Sequence, residues 1–371
     1  MPAPRLWNLQ TRPRELHAAG FRAAVSLHSH TWHSREPLDF IQRVLSRAPL
    51  ASRLVNGASS LLAVGHSDLS RCFWRPPVLP DQALHLESSQ IESLGLAPLV
   101  SITDHDDINA GLELLAAGLD VPISLEWSVP WGPTSFHIGV HHLSPAHAPA
   151  IASALAEFAT RPRRRKLREL LEWLGGMPHS LLVLNHPFDN EERTTARIHQ
   201  YLLSEFLGLH RSQLHALELN GLRRMKENRE VACLAGQIGL PLVSGGDRHC
   251  FEPSANLNLT RAETFDAFAG EIRSGAPSEI LFMPQYGEPI ALRILQTVME
   301  AIGYHPDLAG AARWTDRTFY FDEYGFTRSL ASLWTAEAAA VLKCIIETAR
   351  LLAHPAVLAP LRSALRSNAA S

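Results

Sequence analysis

Residues 23–30 read AAVSLHSH, a short apolar run that ends in a His-x-His pair. Such a run between helical stretches is typical of a buried strand. Side chains two positions apart in a strand face the same way, so His28 and His30 can offer two imidazoles to one metal ion. The pair alone is weak evidence for a metal site, because two unrelated histidines in a core or on a surface can have the same spacing.

Five later segments carry further metal-type ligands, and four of them follow short apolar or β-branched runs that predict buried parallel strands. In a barrel of alternating strands and helices, catalytic groups lie at the carboxyl ends of the strands, where residues far apart in sequence meet. We therefore expect one shared metal site. Its later segments are Thr103-Asp104-His105-Asp106, Leu125-Glu126-Trp127, Phe136-His137, Asn185-His186-Pro187 and Gly246-Asp247-Arg248-His249.

The composition allows a large core and excludes few partners. The chain has 371 residues, 46% of them hydrophobic, which suffices for a barrel with an additional segment. Its 34 basic and 37 acidic residues give a formal net charge of -3, a balance that demands neither nucleic acid nor an anionic membrane as partner. A basic run at residues 161–165 is most simply a solvated helix start, with attraction of a phosphate as the alternative.

The cysteines and the N-terminus favour a cytoplasmic protein. Cys72, Cys233, Cys250 and Cys344 show no Cys-x-x-Cys spacing, so they predict neither a disulfide framework nor a thiolate zinc site. The first residues lack the apolar core of a signal peptide, and no uncharged apolar run reaches membrane-spanning length. We expect no membrane partner.

Three segments are expected along the chain: a lead-in over residues 1–20, a barrel over 21–287 and a helical extension over 288–371. The barrel has an insertion at about 37–80, where several prolines predict irregular backbone. Pro162 is expected to interrupt a helix within residues 150–174. Further helices are predicted at residues 81–94, 226–237, 261–275, 291–302 and 335–353.

The ligand-bearing segments belong to six longer motifs: His28-Ser29-His30-Thr31, Ile102-Thr103-Asp104-His105-Asp106, Ser124-Leu125-Glu126-Trp127-Ser128, Phe136-His137-Ile138-Gly139, Leu184-Asn185-His186-Pro187 and Ser244-Gly245-Gly246-Asp247-Arg248-His249. In this order they resemble the PHP family, the polymerase and histidinol phosphatase superfamily of metal-dependent phosphoesterases. The resemblance covers about residues 21–285, and Glu218-Leu219-Asn220-Gly221 also fits it. Six ordered segments are far more specific than any single motif.

The resemblance implies an α/β fold, a distorted (β/α)7 barrel with two or three divalent ions, Zn, Mn or Fe, at its mouth. A water or hydroxide between two ions would be the nucleophile, since the cations lower its pKa. The implied ligands are His28, His30, Glu126 and Asp247 for the first ion, Glu126, His137 and His186 for the second, and His105 and His249 for a third.

The sequence departs from the family just after the His-x-His pair, where many members have an Asp and Arg35 stands here. An arginine cannot ligate a cation, because its guanidinium stays protonated. Either Glu36 completes a third site with His105 and His249, or Arg35 supplies the positive charge of an absent third ion. We favour Glu36, because its offset from His30 has a precedent in the family.

Three further residues are candidates for catalysis. Arg248 stands where a small residue is common and is expected either to clamp a phosphate or to lie on the rim. Asp104 and Asp106 flank His105 and are expected to support an imidazole, with proton transfer to the leaving group as the alternative.

The leading hypothesis is a hydrolase for a small phosphomonoester or a nucleotide. A nuclease for oligonucleotides is the alternative. It would need a basic, aromatic-lined groove. Arg71, Trp74 and Arg75 in the insertion are the residues that keep this alternative open. A non-catalytic scaffold is a third hypothesis. Such a protein would have lost metal ligands, whereas the family's ligand positions from His28 to His249 carry metal-binding residues here. An amidohydrolase-type barrel also begins with His-x-His but lacks the Asp-x-His ending and the bridging Glu. The sequence is compatible with a homo-oligomer and does not determine the oligomeric state.

Overall fold

The computed structural model describes residues 5–8, 13–37, 72–190, 194–276, 279–322 and 324–332. In these residues the chain is a mixed α/β protein. It divides into two compact units, Met1–Ser34 with Val78–Tyr286, and Arg35–Pro77 with Gly287–Ser371. Among the described helices, none has both the length and the apolar character needed to cross a bilayer.

The elements follow one another as short strands and mostly amphipathic helices. The strands are β1 (Arg5–Asn8), β2 (Ala23–Ser26), β3 (Glu36–Pro37), β4 (Cys72–Trp74), β5 (Ala97–Val100), β6 (Ile123–Trp131), β7 (Thr134–Leu143), β8 (Leu181–Asn185), β9 (Ala216–Asn220), β10 (Leu242–Gly245), β11 (Asn256–Thr260), β12 (Glu279–Phe282), β13 (Thr318–Phe321) and β14 (Thr327–Ser329). The helices are α1 (Pro13–Ala18), α2 (Pro80–Glu92), α3 (Asn109–Ala116), α4 (Ala148–Thr160), α5 (Arg164–Gly175), α6 (Ala196–His210), α7 (Met225–Ile238), α8 (Phe265–Arg273), α9 (Ile290–Ala301) and α10 (Trp314–Arg317).

Two five-stranded sheets form the first unit, in the orders β1-β12-β11-β2-β5 and β10-β9-β8-β7-β6. β2 is parallel to β5, and β8, β9 and β10 are parallel to one another. β6, predicted as one of the parallel strands, instead forms a long hairpin with antiparallel β7. The turn at Gly132 and Pro133 explains this, because Gly132 has a φ of 63° and reverses the chain without a crossover helix.

The two sheets meet where their strands end. Ser29, beyond β2, pairs in parallel with Arg248, beyond β10, and His105, beyond β5, pairs in parallel with Glu126 in β6. These isolated bridges bring the carboxyl ends of β2, β5 and β10 next to the middle of β6. Residues separated by more than 200 positions in the sequence therefore lie side by side.

Most predicted helices of the first unit are observed within a few residues. α2, α7 and α8 correspond to the helices predicted at 81–94, 226–237 and 261–275. The predicted interruption at Pro162 is confirmed, because α4 ends at Thr160 and α5 begins at Arg164. The largest apolar core joins α4, α5 and α6 to β6, β7 and β8, and Trp127 and Phe206 are among its largest fully buried side chains.

Segments outside the expected barrel also form regular structure. β1, in the predicted lead-in, pairs in parallel with β12. The second unit contains an antiparallel sheet of order β14-β13-β4-β3, which combines strands of the insertion with strands of the extension. The extension is thus not purely helical; its strands of three or four residues have too few alternations to be recognised in sequence. α9 matches the helix predicted at 291–302, and the helix predicted at 335–353 lies outside the described residues.

Gly245, the last residue of β10, leaves room for a neighbouring carboxylate. A Cβ at this position would lie 1.7 Å from Glu218 Oε1 and 2.8 Å from His28 Cβ. We expect Gly245→Ala to lower the free energy of unfolding by about 1–3 kcal/mol, because buried groups must shift. The matched control is Gly208→Ala in α6, where nothing lies within 4 Å of the added Cβ; it should be neutral or stabilising by up to about 1 kcal/mol. Chemical denaturation measures both, and equal effects would contradict the close approach.

Candidate metal centre

The backbone takes an uncommon conformation just past three of the strands. His28, His186 and Asp247 follow β2, β8 and β10 with φ values of 64°, 26° and 53°. Non-glycine residues rarely adopt this left-handed region, and they hold it only where their surroundings impose it. Such residues cluster at functional sites, and here all three are predicted ligands.

The buried carboxylate of Glu126 lies among the ligands predicted for the first ion. Its Oε2 is 3.1 Å from His28 Nε2 and 3.5 Å from His30 Nε2. Asp247 Oδ1 is 3.6 Å from each of the same two nitrogens. His105, predicted for a third ion, joins this group, because its Nδ1 is 3.4 Å from the same Oε2. The structure therefore brings the four predicted ligands together and adds His105 to them.

The other oxygen of Glu126 faces the ligands predicted for the second ion. Oε1 is 3.2 Å from His186 Nε2 and 3.5 Å from His137 Nδ1. Asn185 Nδ2 donates a hydrogen bond to the same oxygen at 2.9 Å, a contact that the sequence analysis missed. The two oxygens thus serve two separate groups of imidazoles, which is the arrangement of a carboxylate that bridges two cations.

The geometry fits divalent cations. Neighbouring ligand atoms are 3.1 to 3.6 Å apart, and ligands about 2.1 Å from one ion lie about 3.0–3.4 Å from each other in octahedral or tetrahedral geometry. His28 Nε2 and Glu126 Oε2 are buried 3.1 Å from each other, yet neither atom makes a hydrogen bond of ordinary geometry with any described residue. Polar atoms in that state are costly unless another group engages them. Imidazoles and carboxylates together suit Zn, Mn or Fe.

The electrostatics of the centre also favour cations. Burial acts to lower the pKa of His28, but the charges of Glu126, Glu218 and Asp247 outweigh it and raise this pKa well above its usual value. Burial acts to raise the pKa of Glu126 and of Asp247, and the surrounding imidazoles hold both well below the usual range. Buried carboxylates of this kind are stabilised by positive charge, which divalent ions would supply.

Glu218, which the sequence analysis assigned no role, positions two of the ligands. Its Oε1 is 2.6 Å from His28 Nδ1. An ionised carboxylate can only accept, so Nδ1 carries a proton, and in the neutral imidazole the Nε2 lone pair then faces the centre. Glu218 Oε2 accepts from His186 N at 2.9 Å and from Asn220 Nδ2 at 3.0 Å, and the same amide donates to Asp247 Oδ2 at 3.1 Å. The sequence feature that could have revealed this role is a glutamate inside the otherwise largely apolar strand β9.

The two aspartates that flank His105 contact the backbone of neighbouring segments. Buried Asp104 accepts hydrogen bonds from the amide and the hydroxyl of Thr31, the residue after the His-x-His pair. Burial raises the pKa of Asp104 to about 7, although both hydrogen bonds act to lower it. Exposed Asp106 accepts from Ser128 N at 2.9 Å. These contacts support the ligand segments, and a role in proton transfer stays a prediction.

Arg248 differs from both interpretations made from the sequence, since it neither reaches the centre nor lies on an exposed rim. It is buried, its Nε donates to Glu87 Oε1 at 2.9 Å, and one of its terminal nitrogens donates to Cys250 O at 2.6 Å. Arg248 therefore points toward α2, whereas the neighbouring Asp247 points toward His28 and His30. The ion pair of Arg248 with fully buried Glu87 fastens the ligand segment to α2.

The residues proposed for a third ion are spread over two units. His249 Nδ1 donates to Asp247 O at 2.9 Å, and its ring lies 4.5 Å from that of His30, centroid to centroid. Glu36 belongs to the second unit, where it pairs with β4. Arg35 belongs to the same unit, and its guanidinium lies 5.6 Å from the centre of the Phe73 ring. The roles of Glu36 and Arg35 stay predictions.

A cavity opens beside the second group of ligands, and an arginine that the sequence analysis missed stands next to it. Arg223, in the loop after β9, forms an ion pair with Asp189 and lies 4.0 Å from Asp247 Oδ2. Its side chain is about a quarter exposed. The sequence feature that could have revealed Arg223 is its position three residues beyond the end of β9. The cavity is lined by Ser135, Phe136, His137, Asn185, His186 and Asp189.

Comparisons with known proteins give distant structural similarities. No family model and no curated protein matches the chain. It is similar to an amidohydrolase from Chromobacterium violaceum solved with sulfate and no metal (18% identity, 47% of this chain and 84% of that one, TM-score 0.35). It is also similar to a proposed metal-dependent phosphoesterase from Bifidobacterium adolescentis (17%, 54% and 92%, 0.33) and to a two-domain protein from Bacteroides vulgatus with a predicted PHP-like metal-dependent phosphoesterase (11%, 71% and 66%, 0.41).

We expect Glu218→Gln to keep the fold and weaken the centre. The amide retains the size and one acceptor of the carboxylate but loses the charge that holds the His28 proton, so metal affinity should fall by about 10- to 100-fold. Competition with a coloured chelator measures it. Glu271→Gln is the matched control, because Glu271 accepts from Thr260 Oγ1 at 2.6 Å and has no contact with the described ligands. Equal metal affinity in the two variants would show that Glu218 positions no ligand.

Proposed function

We propose that this protein is a metal-dependent hydrolase of phosphate esters, acting on a small phosphomonoester or a nucleotide. The observation that carries the proposal is the position of Glu126, whose two oxygens face separate groups of imidazoles. A structural metal site needs only four closed ligands around one ion. A bridging carboxylate with five histidines around it is instead typical of a catalytic centre with two ions.

We further propose that the strands of the first unit form the distorted seven-stranded barrel that the motifs imply. β2, β5, β6, β7, β8, β9 and β10 are joined in this order by ladders, except between β5 and β6 and between β10 and β2. The two isolated bridges, His105 with Glu126 and Ser29 with Arg248, supply those connections. A ring closed through single bridges would be open at one end, which is consistent with a distorted barrel.

The chain's own residues would hold the cations and orient the ester. Divalent ions in such a site lower the pKa of a bound water and take up charge that develops on the ester oxygens. His28, His30, Asp247 and Glu126 would hold one ion, and Glu126, His137 and His186 the other. Glu218 keeps the proton on His28 Nδ1, and Asn185 restrains the bridging carboxylate. The two buried bonds therefore fix the ligands before the substrate arrives.

Arg223 supports a phosphate as the reacting group. Its guanidinium lies within 4.0 Å of a ligand carboxylate and pairs with Asp189, which lines the cavity beside His137 and His186. A guanidinium binds a phosphate through two parallel hydrogen bonds, which adds both energy and orientation. A neutral amide or lactam substrate would gain much less from such a cation.

The bridge is tested by Glu126→Gln. A neutral amide is a poor ligand for two dications, so turnover should fall at least about a hundredfold and the metal content should fall with it. Elemental analysis gives the metals per chain, and a panel of phosphomonoesters, nucleotides and short oligonucleotides gives the turnover. Elemental analysis of Glu36→Ala separates two ions from three, because the metal content per chain should fall only if Glu36 holds a third ion. Wild-type protein that retains its metals and hydrolyses no ester of the panel would refute the proposed reaction.

Arg223 is tested by comparing it with its ion-pair partner. Arg223→Gln should raise the KM for a phosphoester and the inhibition constant of inorganic phosphate by roughly tenfold or more, because a charge-assisted hydrogen bond is lost. Asp189→Asn should change both far less, since the guanidinium stays. If the ion pair merely fastened the loop, the two variants would behave alike, and that outcome would remove the phosphate contact from the proposal.

A further inference from the structure

A single bridge joins the two segments that carry three of the four ligands proposed for the first ion. Beyond the ends of β2 and β10, Ser29 pairs with Arg248, and His30 N donates to Arg248 O at 2.7 Å. On the same two segments, Asp247 N donates to His28 O at 2.7 Å. The relative positions of His28, His30 and Asp247 therefore depend on hydrogen bonds that lie outside the regular strand ladders.

The ligands proposed for the second ion are held differently. His137 in β7 is paired with Asn185 in β8 within a ladder of five residue pairs, and His186 follows Asn185 directly. A continuous ladder fixes the register of both strands, because a slip by one residue would turn every side chain to the other face. The second ion therefore has a regular sheet beneath it, whereas the first has one bridge.

One buried carboxylate reinforces that bridge from behind. Glu87, in the middle of α2, is fully buried, a position that carboxylates occupy only with partners. It accepts hydrogen bonds from Arg248 Nε at 2.9 Å, from Ser254 N at 3.1 Å and from Ser26 Oγ at 2.9 Å. Ser26 ends β2, Arg248 follows β10 and Ser254 precedes β11. One side chain thus holds three segments together.

The loop after β10 is fastened to its surroundings at further points. Arg248 Nη1 donates to Cys250 O at 2.6 Å, and Gln90 Nε2 of α2 donates to Ser254 O at 2.8 Å. Near the start of the loop, a Cβ on Gly246 would lie only 2.1 Å from Ser254 Oγ, so the two ends of the loop are closely packed. A shift of this loop relative to α2 would break all of these contacts.

Fold stability alone does not account for a buried ion pair at this place. The side chains of Arg248 and Glu87 are 2% and 0% exposed. Taking both charges out of water is so unfavourable that apolar side chains of similar volume are often equally stabilising or more so. What apolar side chains lack is hydrogen bonds directed at particular atoms. Because the pair is neutral as a whole, its effect on a nearby cation is mainly one of ligand position.

We propose that the Glu87–Arg248 pair positions the ligands of the first ion and sets the affinity of the centre for that ion, while the second ion is independent of it. The proposal rests on the two-ion centre of the function proposed above. Asp247 Oδ1 lies 3.6 Å from Nε2 of both His28 and His30. The pair holds the segment of Asp247 against the end of β2 and so maintains this spacing.

The test uses a paired variant of the full-length protein, Glu87→Gln with Arg248→Met. Both buried charges are removed together, so the net charge beside the centre is unchanged, and the glutamine can accept from Ser254 N. Each ion is measured alone. A His137→Ala background removes a ligand of the second ion only, and a His30→Ala background removes a ligand of the first only. Metal-free protein is titrated with Zn²⁺ in competition with a coloured chelator.

We expect the paired variant to weaken Zn²⁺ binding by about 10- to 100-fold in the His137→Ala background, as the loss of groups that orient ligands does. In the His30→Ala background the affinity should change by less than about threefold, because unconnected sites behave nearly independently. The control is Arg164→Met with Glu205→Gln, which removes an ion pair of 2.8 Å between α5 and α6 and should change neither affinity.

Selectivity between the two ions separates positioning from a merely structural role. If the pair only stabilised the fold, its loss would weaken both ions in similar proportion, and that result would overturn the proposal. Unchanged binding of the first ion would overturn it as well. Ser26→Ala, which removes only the contact between Glu87 and β2, repeats the test should the paired variant not fold. It should weaken the first ion alone, by roughly three- to tenfold.

The same proteins separate this proposal from the proposed reaction. Selective weakening of the first ion in a protein that hydrolyses no phosphate ester would support the positioning pair and refute the hydrolase. Hydrolysis of a phosphate ester by a protein whose two ions respond equally to the paired variant would refute the positioning pair and leave the hydrolase.

Discussion

The burial of the Glu126 carboxylate is the constraint on which the rest of the centre depends. An ionised carboxylate without compensating charge is very unfavourable in a protein interior. Five imidazoles surround this one at 3.1 to 3.5 Å, and the protonation of several of them would be the cost of leaving the centre without cations. Two divalent ions would compensate the charge and keep the imidazoles neutral. The hydrolase activity proposed above depends on a centre loaded in this way.

Backbone geometry delivers the ligands to this carboxylate. The strands β2 and β10 are joined only beyond their regular ends, where the chain has left-handed residues at His28 and Asp247. A buried network behind the ligands maintains this arrangement, with Glu218 on the imidazole of His28 and the Arg248–Glu87 ion pair on α2. Gly245 is required there because its missing side chain admits the Glu218 carboxylate. The left-handed residues and the buried network therefore act together to hold the predicted ligands in place.

Charge is distributed unevenly around the centre, and the sum over the chain conceals this. The ligand carboxylates lie buried at the strand ends. The helices that surround them expose side chains of both signs, among them Arg163 and Glu169 at α5. Arg223 lies between the two regions, since it is about a quarter exposed, pairs with Asp189 and stands 4.0 Å from a predicted ligand carboxylate.

Local patterns in the sequence were enough to predict most of the candidate ligands, because imidazoles and carboxylates that follow short apolar runs are recognisable without knowledge of the fold. His28, His30, Glu126, His186 and Asp247 were predicted in this way, whereas His137 follows no such run and rested on the family resemblance. Most helices of the first unit were also predicted. Which group faces which could be read only from the folded chain. The direction of β7 depends on a hairpin turn, the burial of Arg248 on a glutamate 161 positions away, and the role of Glu218 on a hydrogen bond across 190 positions. Contacts of such sequence separation have no periodicity, so no local pattern could have predicted them.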